Sequence, residues 1–76
     1  MQRMFRFQFG IVEVFDLDDL PSGKYKALGW LNGAEKDAIA DQAATSNDWM
    51  EAVNSCAWKL KTESELMEIV HANGTT

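Results

Sequence analysis

One stretch constrains the chain more than any other: residues 4–15, the most apolar run and the one most clearly patterned. Phe5, Phe7, Phe9 and Ile11 share one face, with Arg6 and Gln8 between them, the period-two signature of a half-buried strand. Just after Gly10 the phase changes, and Val12 and Val14, separated by Glu13, fall on the other face. A bulge at the glycine accounts for this, and so does pairing with the next apolar run, residues 24–31. In an antiparallel hairpin with Phe15 opposite Lys24, Val14 meets Tyr25, Val12 meets Ala27, Ile11 meets Leu28 and Phe9 meets Trp30, so both strands switch face together. That register also sets Glu13 against Lys26, a favourable pair, and Gly10 against Gly29. Facing glycines leave a patch without side chains that another element can approach closely.

Between these strands, residues 16–23 carry Asp16, Asp18 and Asp19 and close with Pro-Ser-Gly, which supplies a turn. The aspartate spacing suggests calcium, but after Asp19 too few oxygen ligands follow, and a solvated charged loop is the better reading.

Asn32 with Glu35 has capping-box spacing and predicts a helix over 33–44, whose small apolar side (Ala34, Ala38, Ile39, Ala43) suits packing over the glycines. Its wet side carries Glu35, Asp37 and Asp41. Capping residues 45–48 predict a break and a second helix. There Trp49, Val53, Cys56 and Leu60, flanked by Ala52 and Ala57, form the best helical stripe in the chain, with Trp58 off its centre as a candidate interface anchor. Thr62 with Glu65 predicts a third helix over 63–72 that buries Leu66, Met67, Ile69 and Val70 and ends at Asn73 and Gly74. A single long helix over 47–71 is the alternative, and the last three residues are read as a frayed tail. The expected fold is therefore α+β, a single domain over residues 1–76, with an N-terminal antiparallel β-hairpin packed against two or three C-terminal helices in the order ββααα.

Chemistry is sparse. Cys56 lies on the buried stripe, where a cysteine is a small hydrophobe, and His71 near a helix C-terminus suits the helix dipole. One cysteine and one histidine leave no zinc set and no disulfide. There is no phosphate-binding loop and no dinucleotide fingerprint. Phenylalanines alternating with Arg6 suggest a base-stacking sheet, but those rings are needed for the core and the cations are scattered. The expectation is a non-enzyme without metal or cofactor. No segment reads as a signal peptide or membrane span, which favours a cytoplasmic protein.

Charge carries what functional signal there is. Twelve acidic against seven basic residues give a net charge of −5, which disfavours direct nucleic-acid or anionic-membrane binding and favours a basic protein partner. Small size, acidity and absence of motifs point to a protein-binding regulator or inhibitor of the kind encoded by phages and other mobile elements. It would block a host protein's nucleic-acid-binding surface by presenting carboxylates where phosphates lie, as in an anti-CRISPR or anti-restriction role. The expected contact residues are Asp16, Asp18 and Asp19 in the hairpin loop, Glu35, Asp37 and Asp41 on the first expected helix, and Trp58. The alternative is an assembly subunit that self-associates as a homodimer through surplus aromatics.

Overall fold

The computed structural model describes residues 2–16, 25–35 and 37–74, the last four of these by backbone alone. The fold is α+β: a four-stranded antiparallel sheet in sequential order followed by one long helix, ββββα. The strands are β1 (Gln2–Phe7), β2 (Gly10–Asp16), β3 (Tyr25–Leu31) and β4 (Gln42–Ser46), and the helix is α1 (Trp49–Gly74).

The phase change after Gly10 marks a chain reversal. Residues 4–15 form two strands, with Phe7 paired to Gly10 and Gln8 and Phe9 as the turn. Neither turn residue has positive φ, so the reversal lacks the Asn-Gly or Gly-X chemistry that announces most two-residue hairpins. Asn32 completes it from a distance: its Nδ2 donates to the Gln8 carbonyl at 2.6 Å and its backbone N–H to the Phe9 carbonyl at 3.1 Å.

β2 and β3 do pair antiparallel, but two positions away from the expected register. Val14 meets Ala27, Val12 meets Gly29, Glu13 meets Leu28 and Gly10 meets Leu31. A slip of two keeps every side chain on its face. Val12, Val14 and Ala27 therefore still point together into the core, while the two glycines become diagonal neighbours.

The predicted helix over 33–44 does not form. Asn32 is engaged at the hairpin tip, and Glu35 accepts a turn bond from the Ala38 N–H at 3.1 Å. The segment then runs out as β4, where Ala43, Ala44 and Thr45 pair with Leu28, Ala27 and Lys26. Alanine propensity loses here to the pairing demand of β3. Asp41 fixes the return, accepting from the Leu31 N–H through Oδ2 at 2.8 Å and donating its own N–H to the Gly29 carbonyl at 2.8 Å.

The helix starts where capping chemistry predicts. Asp48 Oδ1 accepts from the Met50 N–H at 3.2 Å, and Ser46 Oγ accepts from the Asp48 N–H at 3.2 Å. No second break follows, because the Thr62 hydroxyl donates back to the Trp58 carbonyl at 2.9 Å instead of capping a new helix. The continuous-helix alternative is the observed one.

Ala52, Val53, Cys56, Ala57 and Leu60 pack on Val12, Val14, Ala27 and Ala44 to form the core. Trp49 closes one end, stacked on Phe5 with ring centroids 5.8 Å apart and with the Arg3 guanidinium 5.4 Å from its ring centre. Leu60 closes the other end over both glycines. A Cβ on Gly29 would lie 3.0 Å from Cys56 Sγ and 3.3 Å from Leu60, and one on Gly10 would collide with the Trp30 carbonyl. The close approach expected of the glycines is made by this helix, not by the absent alanine-rich one.

Beyond Leu60 the helix outruns the sheet. At ~1.5 Å per residue its 26 residues span roughly 39 Å, whereas the seven-residue strands β2 and β3 reach about 23 Å. Leu66, Met67, Ile69 and Val70, expected in the core, are exposed for that reason. No helix among the described residues is long and apolar enough to cross a membrane.

Candidate functional site

Among the described residues one helix packs on the sheet, and it covers one face. Alternation that sends Val12 and Val14 toward α1 sends Ile11 and Glu13 the other way, together with Met4 and Arg6 from β1 and Trp30 from β3. The segment between β3 and β4 folds along this open face and turns it into a groove of about 630 Å³. Met4, Ile11 and Trp30 supply an apolar floor, while, among the described residues, Glu13, Glu35 and Asp37 bring three carboxylates against the guanidinium of Arg6.

Hydrogen bonds fix the groove's far wall. The Trp30 indole N–H donates to the Ala38 carbonyl at 2.8 Å, which satisfies the ring's one polar group and ties the segment to β3. Asp37 has φ of 69°, a left-handed conformation that aspartate and asparagine tolerate better than most residues. With Asp41 tied to β3 just beyond, the segment presents Ile39 almost wholly to solvent, 92 % exposed.

The expected contact residues do not form one surface. Glu35 and Asp37 line the groove. Asp41 lies outside it and serves the loop, its Oδ2 already bonded to β3. Asp16 ends β2 opposite Tyr25, and Asp18, Asp19 and the calcium reading lie outside the described residues. Trp58 stands in the other layer, on the outer side of α1, 68 % exposed. The groove's floor was absent from the expected site. Its sequence signal is the second apolar set, Met4, Ile11 and Trp30, which alternates out of phase with the core.

A smaller crevice of about 320 Å³ separates the Leu31–Asp41 segment from α1 and is lined in part by Asp41 and Glu63. Glu63 Oε2 is buried there without a hydrogen-bond partner among the described residues. Among the described residues no three His, Cys, Asp or Glu side chains converge as a metal-binding group would. The thiol of Cys56 is buried in the core, and desolvation raises its pKa to about 11, against a smaller opposing pull from Lys59. Such a thiol is protonated and unreactive at neutral pH. Comparison with protein-family models, curated proteins and solved structures finds no match to this chain.

Proposed function

We propose that the chain is a small acidic protein-binding module, and that the groove on the open face of the sheet is its contact surface. One observation carries the reading: an apolar floor that the described residues leave uncovered, bordered among those residues by three carboxylates and one guanidinium. An apolar centre within a charged border is the anatomy of a protein interface, and the sign of the border selects a basic partner. Ile39 beside it is an apolar side chain on a pinned loop, so little conformational entropy opposes its insertion into a partner. A regulator or inhibitor that occupies a nucleic-acid-binding surface, of the anti-CRISPR or anti-restriction kind, is the version of this reading most in keeping with a net charge of −5.

The test is a pulldown from a host lysate at low and high salt, followed by binding kinetics on the recovered partner. Screening acts over ~8–10 Å at 0.1–0.15 M salt, so a carboxylate-driven contact weakens as salt rises. Combined Glu13→Gln, Glu35→Gln and Asp37→Asn should chiefly slow association, and Met4→Ala with Ile39→Ala should chiefly speed dissociation. Salt-insensitive binding untouched by these variants, but abolished by Asp16→Asn, Asp18→Asn and Asp19→Asn together, would move the site to the β2–β3 connection.

A further inference from the structure

Among the described residues the second half of α1 is a further unpartnered surface, and it belongs to the opposite layer of the molecule. Trp58, Leu66, Met67, Ile69 and Val70 are 68, 57, 46, 56 and 67 % exposed. At about 100° per residue, Trp58, Thr62, Leu66 and Ile69 follow one another in a stripe on the flank of the helix turned away from the sheet. Trp58, Thr62 and Leu66 of this stripe also border a shallow groove of about 460 Å³ between the helix and Gln42 of β4, and Val70 widens the stripe on that side. An amphipathic helix with its apolar side in water calls for a covering element.

We propose that a second copy of this chain covers it, through an antiparallel pairing of the two α1 helices about a two-fold axis near Glu63. Two observations select this occupant. The first is charge order along the stripe. Lys59 and Lys61 flank its beginning, with the Lys61 ammonium 5.8 Å from the Trp58 ring centre, and Glu63, Glu65 and Glu68 follow. Lys61 and Glu65 border the stripe on the same flank, and in an antiparallel pair like flanks meet. Each copy's Lys61 then stands beside the other's Glu65, Trp58 packs against Ile69, and Thr62 against Leu66. In a parallel pair unlike flanks meet, and Lys61 and Glu65 do not face each other across the interface. The second is area. At these exposures the stripe offers roughly 500 Å² per copy, about 1,000 Å² for the pair, the lower limit of a specific interface. The pairing is therefore weak and concentration-dependent, and it leaves the groove on the open sheet face free in both copies.

Sedimentation equilibrium over a wide range of concentration tests this. The wild-type chain should pass from monomer to dimer, and Leu66→Glu with Ile69→Glu should remain monomeric with an unchanged circular-dichroism spectrum. Lys61→Glu alone and Glu65→Lys alone should each weaken dimerisation by ~10-fold or more, while an equimolar mixture of the two should restore it, because every contact then joins opposite charges. A wild-type monomer at all concentrations, a dimer indifferent to Leu66→Glu with Ile69→Glu, or a mixture no better than its components would each overturn the proposal. None of these results bears on binding of a basic partner at the sheet groove, which is measured separately.

Discussion

The two halves of α1 invert the usual relation between side-chain size and burial. The first half puts small residues against the sheet, Ala52, Val53, Cys56 and Ala57, and ends on Leu60. The second half carries Leu66, Met67, Ile69 and Val70, larger on average, and leaves them in water. What separates the halves is the strand length of the sheet beneath, and in particular the β1–β2 turn and Asn32, where the sheet stops. Trp49 stacks on Phe5 where the helix begins, and farther along it the glycines at positions 10 and 29 let Cys56 and Leu60 approach the sheet backbone closely. Apolar periodicity tells which side of a helix seeks cover; the length of the neighbouring element decides whether it finds it.

If that is the division, mutations of similar chemistry should have very different effects on the two sides of Leu60. Leu60→Ala removes the side chain that closes the core over both glycines and should cost ~2–5 kcal/mol, read as a lowered urea midpoint. Gly10→Val, which drives a side chain into the Trp30 carbonyl and Leu60, should cost ~1–3 kcal/mol by the same measurement. Cys56 gives a smaller effect, confined to alkaline solution. Its folded pKa of about 11 lies above the reference value of 9.0, so its contribution is complete below pH 9. The unfolded thiol ionises first, and the contribution falls as pH climbs toward 11. Wild type should lose stability across that window relative to Cys56→Ala, and parallel curves would count against a buried thiol. Leu66→Ala and Ile69→Ala, measured at a dilution where the chain is monomeric, should each change stability by less than ~0.5 kcal/mol. A loss comparable to that of Leu60→Ala would show that the second half is covered within the chain.

The parts of the fold legible in the sequence are those fixed by local pattern: the strand character of the apolar residues on either side of Gln8 and Phe9 and of Tyr25–Leu31, the buried stripe from Trp49 to Leu60, and the capping residues before it. What was not legible depends on partners distant in sequence. The turn at Gln8 and Phe9 has no positive-φ residue to announce it and is completed by Asn32. Asn32 and Glu35 have capping-box spacing, yet Asn32 is engaged by that turn, and Ala43 and Ala44 enter β4. Thr62 has the same spacing with Glu65, yet its hydroxyl bonds to the preceding helical turn. Of the candidate site, Glu35 and Asp37 were legible as exposed acids. The groove they border was not, because its floor comes from the alternate face of β1, β2 and β3 and so appears only once the reversal at Gln8 is known. Asp41 looked like one more surface acid until its bond to the Leu31 N–H gave it a structural duty.

Amide hydrogen exchange along α1, followed residue by residue at low and high protein concentration, tests the division of the helix most directly. In dilute solution the amides from Val53 to Leu60 should open only with global unfolding, while those from Leu66 to Val70 should exchange through local fraying, at much lower opening free energy. Raising the concentration should protect the second group and leave the first unchanged. Uniform, concentration-independent protection from Val53 through Val70 would contradict a helix half held by its own sheet and half open to a second copy.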